Sequence, residues 1–324
     1  ARPGGDGVVS IGGKPYRGAA VVRAAGPGRV TAVNRVDMET YLLGVVPREI
    51  GRVGEELLEA AKAQAVAART YAVNYMGRRD SLGFDVFATV QDQVYGGVEA
   101  EHGPVSQAVR ETAGEILTYD GEPIEAYYHS TCAGVTASIH EVWPAAPQPY
   151  LVAVADINPA TGEAFDRSSN RFQWTERWSA AQFVDVLNRT LADSLSPGTA
   201  SIGALHDLRV LQRTPSGRIK ALAIATAVDT FVVGGDRIRW VFRTPKGAIL
   251  NSSKFDVGVL RDARGVPVEV VATGGGWGHG IGMCQVGAMG RARAGQDYRT
   301  ILAAYYTGTR LQGLYGAAPA AVVR

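Results

Sequence analysis

The spacing of hydrophobic and polar positions changes several times along this 324-residue chain. Between residues 15 and 36, short runs rich in β-branched residues flank Gly26-Pro27-Gly28, so the pattern predicts two strands joined as a hairpin. From Glu55 to Met76 the chain carries mainly Leu, Ala, Gln, Arg and Lys and no Gly or Pro, which favours a helix. Gly77 predicts its end.

The helix predicted over 55–76 should be largely buried. Its repeated alanines allow other backbone to approach on several sides. Gln64, Ala68, Tyr71 and Tyr75 share one face because they are three or four residues apart. Buried polar groups need hydrogen-bond partners, so we expect this face to contribute to a site.

The remaining patterns predict an α+β fold, with mixed β-sheets around a buried central helix and a smaller inserted lobe. Segment 143–205 is richer in Pro, Asn, Ser and Trp, which is typical of an insertion. We therefore expect a catalytic core built from both ends of the chain, 1–142 and 266–324, and an inserted helical and β-rich lobe at 143–265. The further elements predicted are helices at 104–114, 179–193, 285–293 and 298–306, the last capped by Asp297, strands at 116–119 and 124–128 around Asp120-Gly121, and alternating β patterns over 207–272 with turns at Ser216-Gly217 and Gly234-Gly235.

Composition excludes several classes of protein. With 46% hydrophobic residues, 20% charged residues and a net charge of +2, the chain is neither disordered nor a general nucleic-acid binder. Its longest apolar runs fall far short of the roughly 20 residues that a membrane-spanning helix needs. The first residues carry no initiator Met and no signal-like apolar stretch, which is compatible with a trimmed, exported form.

Glu49 ends an apolar segment that runs from Tyr41 to Arg48. Desolvation there should raise the pKa of its carboxyl toward a range useful to a general acid. The alternative is that Pro47 and Glu49 open a short helix, with Pro in the first position and Glu near the positive end.

Arg69 lies on the alanine-rich helix, where a guanidinium must find a carboxylate or a substrate oxygen. A structural ion pair is one interpretation. A pair with Glu49 is another, and it would join the two residues in one site.

His129-Ser130-Thr131 follows a predicted strand, at a place where site residues are common. A Ser-His nucleophile pair is disfavoured because adjacent residues of an extended chain point to opposite faces and no G-x-S-x-G motif surrounds Ser130. Two interpretations remain. Either these side chains form hydrogen bonds with a polyhydroxylated ligand, or they form an ordinary polar cluster at the end of a strand.

His279 lies in a loop that carries glycine at 274, 275, 276, 278, 280 and 282. Each glycine raises the entropic cost of ordering the loop, so something must approach its backbone closely. A dinucleotide site does not fit, because G-x-G-x-x-G is not cleanly present and no acidic partner is placed for it. His279 is then either a ligand-binding or a structural histidine.

Four segments in this order resemble the stage II sporulation protein D and amidase-enhancer family, and the likeness extends from about residue 15 to residue 312. They are Tyr41–Glu49, Ala63–Tyr71, His129–Gly134 and Gly276–Gln285.

The resemblance implies an activity and the residues that carry it. It implies a lytic transglycosylase of peptidoglycan, which would cut between N-acetylmuramic acid and N-acetylglucosamine on strands stripped of stem peptides and leave 1,6-anhydro ends. It implies Glu49 as the acid and later the base, and a secreted or cell-envelope location. The substrate-binding residues it implies, together with the neighbouring hydroxyls of the third segment, are Arg69, Tyr71, His129, Ser130, Thr131, His279 and Gln285.

Two other functions stay open. Some members of the family are named as amidase enhancers, so a non-catalytic glycan-binding module that activates a cell-wall amidase is the main alternative. A metal-dependent hydrolase built on His129, Cys132, His279 and Cys284 is the other. No cofactor is required by the transglycosylase interpretation.

The only two cysteines each follow a histidine of a family segment, in His129-x2-Cys132 and His279-x4-Cys284. If those segments meet, so do the sulfurs. For an exported protein we favour a Cys132–Cys284 disulfide or close thiol pair over zinc, because the spacings fit no standard zinc module. The resemblance implies that serine can replace both, so the sulfurs would be dispensable for the chemistry.

Overall fold

The computed structural model describes residues 7–195, 201–315 and 322–323. The chain divides into two compact units, one formed by residues up to 127 and from 288 onward, the other by 128–287. Like the division predicted from sequence, this one joins the two ends of the chain and separates its middle. The predicted boundaries, with a lobe at 143–265, stay a prediction.

The first unit opens with two antiparallel hairpins. Strand β1 (Val8–Ile11) pairs with β2 (Lys14–Arg17), and β3 (Ala19–Ala24) pairs with β4 (Val30–Asp37). The second hairpin closes around Gly26-Pro27-Gly28 with Ala24 opposite Val30, which confirms the predicted turn.

Helix α1 (Met38–Glu49) follows directly and was not predicted as a helix. Asp37 caps it by accepting a 3.0 Å hydrogen bond from the amide of Thr40. Pro47 lies inside the last turn, and Glu49 is the final helical residue. The interpretation in which Pro47 and Glu49 open a helix is therefore wrong, because they end one.

The predicted central helix is α2 (Leu58–Tyr75), preceded by a short 3-10 turn at Glu55–Leu57. Every residue from Ala63 to Ala72 is buried, which confirms a buried spine. Helix α3 (Gly103–Glu111) matches the next prediction. Strands β5 (Glu115–Tyr119) and β6 (Glu122–Pro123) pair across Asp120-Gly121, and both of these turn residues have a positive φ. The strand predicted over 124–128 is wrong, because β6 ends at Pro123.

The second unit holds two three-stranded antiparallel sheets, in the orders β11-β10-β9 and β12-β13-β8, and one short parallel pair, β7 with β14. Their cores share an aromatic cluster that includes Trp178, Phe183, Phe242 and Phe255. The elements are β7 (Tyr128–His129), α4 (Ile139–Val142), β8 (Trp174–Ser179), α5 (Ala180–Thr190), β9 (Leu205–Arg213), β10 (Ile219–Thr226), β11 (Thr230–Gly234), α6 (Arg237–Val241), β12 (Phe255–Arg261), β13 (Pro267–Gly274) and β14 (Met283–Cys284).

Most predictions for this unit are confirmed. Helix α5 begins at a capping box of Ser179 and Gln182, and the Ser216-Gly217 turn joins β9 to β10. Gly234-Gly235 instead leads from β11 into α6, so it does not join two strands.

The chain then passes through α7 (Gln285–Arg293) and α8 (Tyr298–Tyr305), both as predicted. Asp297 caps α8 by accepting from the amide of Thr300 at 2.8 Å. Strand β15 (Arg310–Gly313) pairs with β5, and β16 (Val322–Val323) pairs with β4. Within the described ranges, no helix has the length and apolar character needed to cross a membrane.

Candidate functional site

Glu49 presents its carboxyl at the end of α1, and its side chain is partly buried. The amide of Val94 donates a 2.7 Å hydrogen bond to its Oε1. Burial, and after it the negative charge of Glu49, raise the pKa of Tyr41, which lies two turns earlier on the same helix. Glu49 is thus held by a backbone donor beside a phenol that stays protonated.

The loop that supplies this donor also binds α2. Its residues Asp92, Gln93 and Val94 form what we call the 92–94 segment. The Tyr71 hydroxyl donates to Asp92 Oδ1 at 2.9 Å, and the Gln93 side-chain amide donates to the carbonyl of Ala68 at 3.1 Å. The segment therefore brings Glu49 and Tyr71, two of the predicted site residues, to neighbouring positions.

Asp92 organises this segment and was missed in the sequence. Besides Tyr71, it accepts from the guanidinium of Arg79 at 3.0 Å and from the amide of Phe87 at 2.7 Å, and its side chain is 1% exposed. A run of polar residues, Gln91-Asp92-Gln93, between aromatic residues at 87 and 95 was the available signal.

Arg69 is fully buried on α2, and its partner is Glu39 on α1. The two form a bidentate ion pair with distances of 2.9 Å (Nε to Oε1) and 2.6 Å (Nη2 to Oε2). Arg69 also donates to the carbonyls of Glu115 and Val109, at 3.1 and 3.3 Å. Arg69 therefore forms a structural ion pair, as the first interpretation proposed. The suggested pair with Glu49 is wrong.

His129 lies on β7, which pairs in parallel with β14 so that His129 is opposite Cys284. The ring is 4% exposed, and burial lowers its pKa well below the usual value, so it is neutral. Its Nδ1 is 3.2 Å from the carbonyl oxygen of Ile281. Since a carbonyl can only accept, Nδ1 carries the proton and Nε2 the lone pair.

His279 is also held on both ring nitrogens. The amide of Ile281 donates to Nδ1 at 3.0 Å, and Nε2 donates to the carbonyl of Tyr128 at 3.0 Å. Burial lowers its pKa to about 4. His279 thus acts as a neutral brace between the glycine loop and β7.

The expected close approach to the glycine loop is confirmed, and it is made by this chain itself. A Cβ at Gly278 would lie 2.8 Å from the Cβ of His129, and one at Gly276 would lie 2.8 Å from the carbonyl oxygen of Thr131; φ is positive at both. Thr131 and Trp277 exchange backbone hydrogen bonds of 3.0 and 2.8 Å. Glycine is needed here because the loop lies directly against residues 129–131.

The hydroxyls beside His129 form a short chain. Ser130 Oγ is 3.2 Å from Thr131 Oγ1, which is 2.8 Å from Ser169 Oγ. Thr131 and Gln285 are buried, while Ser130 is partly exposed. Among the predicted binding residues of the second unit, Ser130 and His279 thus keep some exposure.

Trp277 was missed as a candidate. It is a large apolar side chain with 44% exposure, and the guanidinium of Arg171 lies 5.1 Å from its ring centroid. An exposed aromatic face next to a cation is suited to a sugar ring or another flat polar ligand. Its place inside the glycine loop, between Gly276 and Gly278, was the signal in the sequence.

Cys132 and Cys284 are both buried and are free thiols in this structure. Their sulfurs and one ring nitrogen of His129 all lie within 4.8 Å of one another, so the sulfurs do meet as expected. The disulfide stays a prediction about the oxidised protein. The predicted metal set of four is not brought together, because His279 uses both nitrogens in hydrogen bonds.

The predicted site residues thus fall into two groups. Glu49, Arg69 and Tyr71 belong to the first unit, and His129, Ser130, Thr131, His279 and Gln285 belong to the second. That both groups serve one glycan groove stays a prediction.

Comparison with known proteins gives matches over most of the chain. The model of a family described as stage II sporulation protein matches residues 27–119, and one for a domain of unknown function matches 159–282. The chain is 34% identical over 286 residues to an uncharacterized protein of Brachyspira hyodysenteriae, which covers 85% of this chain and 67% of that protein.

Among the named relatives are two proteins of the genus Bacillus. The chain is 33% identical to the amidase enhancer of Bacillus subtilis over 83% of its own length, but it spans only 40% of that protein. It is 31% identical to the stage II sporulation protein D of Bacillus amyloliquefaciens over 293 residues, which cover 86% of this chain and 74% of the relative. The chain belongs to the stage II sporulation protein D family.

Proposed function

We propose that this protein is a peptidoglycan lytic transglycosylase that cleaves the MurNAc-GlcNAc bond of denuded glycan strands, with Glu49 as general acid and then base. The observation that carries the proposal is the carboxyl of Glu49, at the end of α1, partly buried and oriented by the amide of Val94 at 2.7 Å. The family motif implies its acid at this residue.

In the first step the protonated carboxyl of Glu49 gives its proton to the glycosidic oxygen as the bond to the anomeric carbon breaks. The resulting carboxylate then takes the proton of the muramic acid 6-hydroxyl, whose oxygen bonds to the anomeric carbon. The products are a 1,6-anhydro end and a free 4-hydroxyl, no water is consumed, and Glu49 returns to its protonated form. The step requires no cofactor.

The environment of Glu49 supports a single acid. Ordinary hydrolysis uses two carboxyl groups on opposite sides of the scissile bond. Asp92, on the segment that anchors Glu49, already accepts from Tyr71, Arg79 and the amide of Phe87, and its side chain is 1% exposed. A carboxylate bound in this way is unsuited to activate a water, which favours transglycosylation.

Glycan contacts would come from exposed polar and aromatic side chains. In the second unit, Trp277 with Arg171 offers an aromatic face beside a cation, and Ser130 offers a hydroxyl. A protein that acts on glycan strands would lie outside the cytoplasm, secreted or in the cell envelope.

A second function is favoured by a specific observation. Arg69, Tyr71, His129, Thr131 and Gln285 are buried, and the first four hydrogen-bond to this chain's own groups. Such residues stabilise a scaffold, as a non-catalytic module would need, and one relative is named amidase enhancer. An activator would bind glycan strands and a cell-wall amidase without cutting.

One experiment distinguishes the transglycosylase from the activator. It is done on purified peptidoglycan freed of stem peptides. Mass spectrometry of the released fragments identifies 1,6-anhydro ends. Release by the wild-type chain and its loss in Glu49→Gln support the transglycosylase, with Glu55→Gln, an exposed carboxyl in the same unit, as the matched control. Binding without release, together with faster cleavage by an added amidase, supports the activator.

A further inference from the structure

Three side chains of the second unit present metal-binding atoms to one another inside the protein. Those of His129, Cys132 and Cys284 all lie within 4.8 Å, and all three residues are buried. Zinc binds sulfur at about 2.3 Å and imidazole nitrogen at about 2.0 Å. At these lengths the donors of a tetrahedral shell are about 3.5 to 4 Å apart, so donors within 4.8 Å of one another are near the spacing of one zinc shell.

The orientation of His129 adds an independent observation. Its Nδ1 donates to the carbonyl of Ile281 at 3.2 Å, so Nε2 carries the lone pair. Across residues 7–195 and 201–315, no hydrogen-bond partner reaches this buried nitrogen. An imidazole that binds a metal through one nitrogen typically donates its other N–H to a carbonyl or carboxylate, and His129 has this arrangement.

A buried arginine belongs to the surroundings of the two sulfurs. Arg218 is 1% exposed, and its Nε and Nη1 have no hydrogen-bond partner among the residues that the structure describes. Its guanidinium interacts electrostatically with both cysteines. When zinc binds, it displaces the thiol protons, and the resulting thiolates, which zinc prefers as ligands, would add to the negative charge of Glu141 and Asp236 near Arg218.

We propose that His129, Cys132 and Cys284 bind one structural zinc ion through Nε2 and the two Sγ atoms. A carboxylate oxygen of Asp156 or Asp166 completes the shell, since both group with Cys132 within 4.8 Å. Asp166 also accepts from the amides of residues 132, 133 and 134, which fixes this loop around the ion. The set expected from the sequence grouped His279 with these three residues. An aspartate takes its place here, because both ring nitrogens of His279 are engaged in hydrogen bonds.

The ion would tie the first segment of the second unit to its last. His129 and Cys132 lie at the start of that unit, Cys284 lies near its end, and β7 and β14 pair between them. Zinc here stabilises the fold and the glycine loop. The zinc proposal therefore does not depend on the transglycosylase proposal, and the two can be tested separately.

The test titrates the whole chain, reduced and freed of metal, with cobalt(II). Cobalt in a thiolate site absorbs through sulfur-to-metal charge transfer and visible d–d bands. We expect both absorptions to saturate at one equivalent, zinc to displace cobalt, and zinc to raise the Tm by mass action. His129→Ala, Cys132→Ser and Cys284→Ser should each weaken binding beyond the roughly 10- to 100-fold cost of losing an outer-shell partner.

His140→Ala is the matched control, because His140 is exposed in the same unit. Circular dichroism identifies any variant that fails to fold. The titration of the wild-type chain tests whether the zinc site exists and does not depend on the variants. A folded, reduced wild-type chain without the charge-transfer band overturns the proposal, whether or not the unreduced protein contains a disulfide. Equal cobalt binding by wild type and folded Cys132→Ser also overturns it, since the ion would then lie elsewhere.

Discussion

Arg69 and Glu39 form a bidentate ion pair that joins α2 to α1, with the arginine side chain fully buried. Glu39 Oε1 also accepts from the amide of Gly114 and the hydroxyl of Tyr315, both at 3.0 Å. One carboxylate thus connects α1, α2 and two later segments of the first unit.

Glu39→Gln should destabilise the protein by about 3 to 5 kcal/mol, because it leaves a buried guanidinium without its counter-charge. Denaturant unfolding measures this, with Glu55→Gln as an exposed control. A change under 1 kcal/mol would show that water or another acceptor compensates the guanidinium, and the pair would then be a poor explanation of how α1 is held.

Ala68→Leu tests the burial of α2. Ala68 is 0% exposed, and its carbonyl accepts from Gln93. A larger side chain should overpack the helix and cost about 1 to 3 kcal/mol. Ala303→Leu, at an exposed position of α8, is the control and should leave the Tm nearly unchanged. An equally small effect at both positions would contradict the buried spine.

Tyr71→Phe distinguishes a binding role from a structural one. The hydroxyl donates to buried Asp92 at 2.9 Å, and burial raises the pKa of Tyr71 far above its usual value, so it stays a donor. Loss of this bond should cost about 1 kcal/mol or somewhat more, because Asp92 is charged. The KM for denuded strands should stay unchanged; a raised KM at unchanged stability would instead assign the hydroxyl to the glycan.

Much of this fold follows from local signals in the sequence. Capping residues, glycine turns and helix-forming composition placed α2, α5, α7 and α8, because each depends on interactions within a few residues. Helix α1 was missed because its apolar run carries a proline and a glycine, and tertiary burial overrides their low propensity.

The site could be predicted only in part. Sequence identifies residue types that need partners, as with Arg69, but the choice of Glu39 over Glu49 depends on how α1 and α2 pack. The meeting of Cys132 with Cys284 followed from the assumption that two histidine segments adjoin, which the β7–β14 pair confirms. Asp92 had only a polar run between two aromatic residues as its signal, and Arg218 had no local signature, because their roles arise from contacts distant in sequence.

Asp297→Ala tests the cap of α8 and its pH dependence. Hydrogen bonds from Thr300 lower the pKa of Asp297 below its ordinary value. Its stabilisation is therefore present above the unfolded-state pKa and lost as the pH falls through the lower folded-state pKa. We expect a loss of about 0.5 to 2 kcal/mol near neutral pH and a smaller one in acid. Asp297→Asn should keep most of the cap without this pH dependence, and a pH-independent loss in Asp297→Ala would contradict the assignment.

Glu49→Gln should keep the fold and abolish strand cleavage. Glutamine has nearly the same size, and its carbonyl oxygen can still accept from the amide of Val94, as Oε1 of Glu49 does at 2.7 Å. It has no proton to give to the leaving oxygen, and it cannot take one from the 6-hydroxyl. General acid catalysis typically contributes a factor of about 10² to 10⁴, and the second role moves the expected loss toward the larger figure. The measurement is release of anhydro-ended glycans from soluble denuded strands.

Glu49→Asp sharpens the test, because it retains an acid but withdraws it by roughly 1 Å, enough to disturb a geometry that catalysis requires. Both variants should lose turnover much more than glycan binding, since the acid acts in the transition state. A folded Glu49→Gln protein that still releases anhydro ends near the wild-type rate would remove Glu49 from the mechanism. It would leave the bond to Val94 as a structural tie between α1 and the 92–94 segment. If the wild-type chain binds denuded strands and releases nothing, the same carboxyl belongs to a binding module, and amidase activation becomes the function to measure.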